Sequence, residues 1–214
     1  MNVPIIVDHV SKSFQGKQVL NNVTASFEPE KIHGIIGRNG SGKTVLIKTI
    51  CGLIRPDSGR VIVNNAVVGR DIDFPQNIGA IIGAPGFLPT QSALKNLMYL
   101  ASLRGIIGKR EVRRAIEFVG LNPDDKKHVG KYSLGMKQRL GLAQAIMENP
   151  EILVLDEPMN GLDKDGVNDI REFLLEFKQD GKTIIIVSHN SEDINSLCDT
   201  VYEMDKGTLS TLKL

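Results

Sequence analysis

The 214-residue chain is poor in cysteine, with only Cys51 and Cys198. Both stand in apolar contexts without metal-ligand spacing. This excludes a disulfide framework and reads as two reduced core thiols of a cytosolic protein. Excess charge of one sign is also missing. The formal net charge is +1, where a nucleic-acid binder would be strongly basic. No run nears the roughly 18 apolar residues that a membrane span requires. The opening "MNVPIIVDHV" lacks the charged-then-apolar order of a secretory signal. Internal repeats and low-complexity segments are absent too. If the protein works at a membrane, another chain supplies the spans.

What is present begins with "IIGRNGSGKTVLIK", residues 35–48. A buried strand precedes it, and apolar residues at helical spacing follow it (Val45, Leu46, Ile50, Leu53). Gly37, Gly42, Lys43 and Thr44 fit the phosphate-loop pattern G-x-x-x-x-G-K-S/T. N–H groups from Asn39 to Val45 would wrap a phosphate chain at the positive end of the helix. Lys43 would neutralise the β- and γ-phosphates. The Thr44 hydroxyl would ligate Mg²⁺. A glycine-rich turn with no ligand is the plain alternative.

Around this loop the chain alternates buried strands and helices. That pattern predicts a parallel sheet with crossover helices. Residues 3–10 and 19–27 alternate as strands, joined through "SKSFQGKQ". Residues 60–68 read as a hairpin with Asn64-Asn65 at its tip. A strand covers "NIGAIIG". Helices follow over 92–105, 109–120 and 135–148. Then come the strand "EILVLDEP", a helix over 165–181 and the strand "KTIIIVSH". The tail reads as two strands around Lys206-Gly207.

Asp156 and Glu157 close the "ILVLDEP" strand, the end at which open α/β sheets bind ligands. Asp156 would hold Mg²⁺, and Glu157 would polarise an attacking water. An acidic pair capping the next helix is the alternative. His189 ends another buried strand. It could hydrogen-bond the γ-phosphate and hold the attacking water, although a lone histidine is more often structural. In "YSLGMKQRLGLAQAI", Ser133 precedes a long helix whose N-terminus would be a second anion site. One phosphate chain does not need two such sites from one subunit. This one would serve a nucleotide held by a neighbouring copy, unless it is simply a capped helix.

Taken together, these residues resemble the nucleotide-binding subunit of an ABC transporter, over nearly the whole chain. "GRNGSGKT" resembles Walker A, which carries over Gly37, Arg38, Asn39, Gly40, Ser41, Gly42, Lys43, Thr44 and Val45 as nucleotide contacts. "ILVLDEP" resembles Walker B, with Asp156 toward Mg²⁺ and Glu157 catalytic. Ser133, Gly135 and Met136 match three positions of the signature, usually LSGGQ. "NGLD" matches the D-loop and ends in Asp163. His189 matches the switch histidine. Phe14 matches the aromatic that stacks on adenine, although a core phenylalanine would look the same.

The resemblance implies a P-loop NTPase of RecA-like type, α/β, with an antiparallel β part and an inserted helical subdomain. The single ABC ATPase domain would span 1–214. The core and antiparallel part would be about 1–84 and 151–214, and the helical part about 85–150. It further implies ATP and Mg²⁺, a head-to-tail dimer with a second ATPase subunit, and separate transmembrane permease subunits. The protein would then sit at the inner face of the cell membrane. No nucleic-acid partner is expected.

Two positions depart from the pattern. Gly83 stands where the family's Q-loop usually has glutamine, and Leu134 replaces the first glycine of the signature pair. With "APGFLP" and "SLGMKQRL", these departures are similar to a bacterial subfamily that exports peptide antibiotics and gives self-protection. A kinase or GTPase is the first rival, but no N-K-x-D guanine motif is present. A soluble ABC-type regulatory or scaffold protein, not coupled to transport, is the second.

Overall fold

The computed structural model describes residues 4–189, 194 and 196–212. Two sheets organise them. The larger has six strands: β3 (Ile32–Ile36), β6 (Ile78–Ile81), β7 (Ile152–Asp156), β8 (Thr183–Ser188), β9 (Thr200–Asp205) and β10 (Thr208–Leu212). Their order is β10-β9-β3-β8-β7-β6. Every pairing is parallel except the β9–β10 hairpin. The smaller sheet is antiparallel and joins β2 (Lys17–Phe27), β1 (Ile5–Phe14), β4 (Ser58–Val63) and β5 (Ala66–Val67) in that order.

The central strands are apolar on both faces because both are covered. Successive side chains point to opposite sides, so each strand divides its residues between two cores. Ile185, Val187, Val154 and Ile35 face a core shared with the small sheet and with Leu46, Ile47 and Ile50 of α1 (Lys43–Ile50). Ile184, Ile186, Leu153 and Leu155 face the other core. There they meet Leu140 and Leu142 of α4 (Leu134–Ile146) and Ile170, Phe173 and Leu174 of α5 (Lys164–Gln179). Helices α2 (Ala93–Arg104) and α3 (Lys109–Phe118) complete this second core through Leu97 and Ile116. The expected α/β architecture, with a mostly parallel sheet, an antiparallel part and a helical insertion, is therefore present.

One expectation is corrected. The stretch 11–18 is strand rather than connection: β1 runs to Phe14, and β2 begins at Lys17 after a turn of Gln15 and Gly16. The β1–β2 register shifts between Val7 and Val10 and again between Val10 and Lys12, and His9 has a φ of 52°. Such bulges break the period-two pattern from which a strand is read. Val3 of the first predicted strand and the last two residues of the predicted tail hairpin lie outside the described residues. Cys51 and Cys198 are buried and unpaired, and burial pushes both thiols up to about 12. They are inert core residues.

Candidate nucleotide site

Helix α1 starts at Lys43 because the loop before it can take backbone shapes closed to other residues. Gly42 caps the helix at φ 116°. A Cβ there would lie 2.8 Å from the Val19 carbonyl oxygen. At Gly37 a Cβ would lie 2.3 Å from the Met204 carbonyl oxygen. The loop is thus pressed between β2 and the end of β9. The Gly207 N–H donates to the Ser41 carbonyl at 2.9 Å, and the Asn21 N–H donates to the Gly207 carbonyl at 2.8 Å.

Inside this frame the Lys43 amine is buried. It donates to the carbonyls of Gly37 at 2.7 Å and Arg38 at 3.1 Å. The Ser41 hydroxyl is buried without a hydrogen-bond partner. A cationic amine held by carbonyls and an orphaned hydroxyl both suit a polyphosphate. A cavity of about 250 Å³ opens beside Lys43, lined by Asn39, Gly40, Gly42, Lys43, Thr44, Val45, Asp156, Glu157 and Val19.

The carboxylates come from the end of β7. The Thr44 hydroxyl donates to Asp156 Oδ2 at 2.9 Å. Burial pushes the Asp156 carboxyl above its ordinary value, and the neighbouring Glu157 charge adds to this. The Thr44 hydrogen bond and the cations Lys43 and Lys48 pull the other way. A half-buried carboxylate beside a hydroxyl fits a divalent cation. Among the described residues there is no cluster of three or more His, Cys, Asp or Glu that could hold a metal.

Glu157 follows the strand at φ 52°, and its N–H donates to the Val187 carbonyl at 2.8 Å. This turn separates its side chain from that of Asp156. His189 Nδ1 lies 2.8 Å from Glu157 Oε2, so the two form a hydrogen-bonded pair at the cavity's edge.

Ser133, Gly135, Met136 and Asp163 lie elsewhere. They line a second, open cavity of about 780 Å³. Ser133 caps α4 by accepting from the Met136 N–H at 3.2 Å, and Asp163 caps α5 by accepting from the Gly166 N–H at 2.9 Å. The two cavities share no lining residue. Phe14 ends β1, is 43% exposed and carries Lys12 Nζ at 5.5 Å from its ring centroid. It lines neither cavity.

Two features escaped the sequence reading. Val19 as a wall of the site and the Met204–Gly207 clamp both come from elements remote in the chain. Close approach at Gly37 and Gly42 was their only trace.

A phosphate loop between a parallel strand and a helix, with acidic residues closing the neighbouring strand, defines a P-loop nucleoside-triphosphatase. The model of the family described as ABC transporter matches residues 20–160. The ABC transporter ATP-binding protein YybJ of Bacillus subtilis is 43% identical over 207 residues, 97% of this chain and 95% of its own. The bacitracin transport ATP-binding protein BcrA of Enterococcus faecalis is 39% identical over 211 residues, 98% of this chain and 68% of its own. Among solved structures, the ADP conformation of the ATP-binding cassette MJ1267 matches with a TM-score of 0.84 at 26% identity, covering 98% of this chain and 90% of that one. The chain belongs to the ABC transporter family, as an ATP-binding subunit with ATPase activity. Its resemblance to subunits of antibiotic transport systems is borne out by BcrA.

Proposed function

We propose that two copies of this subunit close on two ATP molecules, each held by one copy's phosphate loop and covered by the other's Ser133 region. One observation carries the reading. The phosphate loop and the capped helix ends at Ser133 and Asp163 open on separate cavities that share no lining residue. A single copy leaves each half of the site uncovered.

Within the closed site Lys43 neutralises the β- and γ-phosphates and loop N–H groups hold them. Thr44 and Asp156 would hold Mg²⁺, which would supply charge neutralisation at the phosphates. Glu157 accepts a proton from the attacking water. His189, bonded to Glu157, orients that carboxylate and faces the γ-phosphate. The Ser133 cap of α4 presents its helix N-terminus to the same phosphate, Gly135 and Met136 flank it, and Asp163 meets the opposite loop. Phe14, on an exposed strand end, stacks on adenine once nucleotide is bound.

The ATP phosphates bridge the phosphate loop of one copy and the α4 N-terminus of the other, and hydrolysis weakens the bridge. Closing and opening drive separate membrane-spanning subunits, docked on the helical part, about 85–150. Among the described residues no helix is long and apolar enough to cross a membrane; in this proposal the partners carry the spans and this subunit sits at the inner face of the membrane. The relative named for bacitracin transport supports export of a peptide antibiotic or drug.

The test is Glu157→Gln. It should cut phosphate release by about 10²–10⁴-fold, keep ATP binding, and convert the protein to a stable dimer with ATP in sedimentation equilibrium. Full turnover in this variant would remove Glu157 from its role. A strictly monomeric protein with ATP would overturn the shared site.

A further inference from the structure

The signature surface has an unusual member. Leu134 stands where the family pattern has glycine, directly before the small Gly135. It is 57% exposed at the first turn of α4. A side chain of that size at the mouth of a nucleotide half-site needs a resting place. The structure supplies one on the loop between β7 and α5. A Cβ built at Gly161 would fall 2.5 Å from Leu134 Cδ2. Real Cβ atoms do not approach so closely, so the leucine lies where only a glycine leaves room. The next residue continues the contact, because a Cβ at Gly135 would meet Leu162 Cδ2 at 3.5 Å.

Resting on the shared-site reading above, we propose that Leu134 and Gly161 are a matched pair. The missing Cβ at 161 receives the leucine side chain, which keeps the Ser133–Gly135 backbone open to the nucleotide of a second copy. Leu134 is in this sense a positioning residue. It touches no nucleotide; where its side chain rests decides whether nucleotide can approach.

Two consequences follow from the geometry. Adding a methyl at 161 displaces the far end of an exposed, flexible side chain rather than backbone, so the fold survives. The displaced leucine then swings across the cavity that it already lines. The pair also ties the Ser133 end of α4 to the loop that leads to Asp163, so the two capped helix ends move as one surface.

The experiment uses the full chain carrying Glu157→Gln, with ATP, and reads dimer dissociation by sedimentation equilibrium. Gly161→Ala should weaken ATP-driven dimerisation by roughly tenfold or more. Gly161 has a φ of 73°, so alanine there also strains the backbone. The double variant Gly161→Ala with Leu134→Gly separates the two effects, because it keeps the strain and removes the clash. It should dimerise within about threefold of the parent, while its melting temperature stays at that of Gly161→Ala. A double variant as weak as Gly161→Ala, or a Gly161→Ala protein that dimerises like the parent, overturns the proposal. If the parent itself never dimerises with ATP, the shared site falls, and the matched pair falls with it.

Discussion

Thr44 and Asp156 are joined by one hydrogen bond although 112 positions separate them: the hydroxyl donates to Oδ2 at 2.9 Å. The bond crosses from the first turn of α1 to the end of β7, which are not neighbours in the chain. It holds a carboxylate in a half-buried place where water alone would not stabilise its charge. In the ligand-free protein the hydroxyl does part of the work that a cation would do.

Asp156→Asn should therefore stabilise the ligand-free protein at neutral pH. The native carboxyl is raised above its ordinary value, chiefly by burial, so the unfolded chain loses this proton at lower pH than the native chain. Stability of the parent relative to Asp156→Asn should fall as pH rises from the ordinary carboxylate value through the native one, then stay flat. Adding Mg²⁺ and ATP should reverse the order, because only the parent gains a cation ligand. Thermal unfolding of both proteins at stepped pH checks this. A parent more stable than the variant throughout, without ligand, would contradict it.

Lys43→Ala should weaken ATP binding on the order of 100-fold. Among the described residues the amine is the one side-chain cation lining the phosphate-loop cavity. Its loss also leaves the Gly37 and Arg38 carbonyls without their present donor. Titration calorimetry reads the affinity directly. Unchanged affinity would displace the phosphates from this loop.

Gly83→Gln tests the unusual Q-loop position. Gly83 has a φ of 72°, and a Cβ built there meets nothing within 4 Å. The side chain has room but the backbone is strained, by about 1 kcal/mol. The melting temperature should drop by roughly 2–4 °C. With the new amide in open space, the Mg²⁺ concentration for half-maximal phosphate release should not move. A shift to lower Mg²⁺ would show that the loop can still reach the cation.

Much of this was written in residues 35–48 and 151–163. A buried strand, a glycine loop and an amphipathic helix each have a short-range cause, so order and type could be read directly. The β9–β10 turn was equally plain: Lys206 and Gly207 both take positive φ, at 44° and 84°, as a two-residue hairpin turn demands. The length of β1 was not legible, because its irregular pairing hides the alternation. Nor was Val19 as part of the site, since its place depends on how β2 lies against the loop. Phe14 shows the opposite failure. Its letter fitted a core phenylalanine as readily as an adenine contact, and only its 43% exposure at the end of β1 removes the first reading. The pairing of Leu134 with Gly161 was beyond any local reading: one residue looked like a departure and the other like an ordinary loop glycine.

The phosphate loop touches Met204 through Gly37 and Gly207 through Ser41. Its shape is thus completed by strands that the ribosome makes more than 160 residues later. Synthesis delivers the glycines and the lysine early, but their outer wall arrives late. A fragment halted before residue 200 would contain every residue of the phosphate-loop motif and hold ATP poorly. Nucleotide capture consequently reports that the far end of the domain has docked, which makes it a natural checkpoint for finished folding.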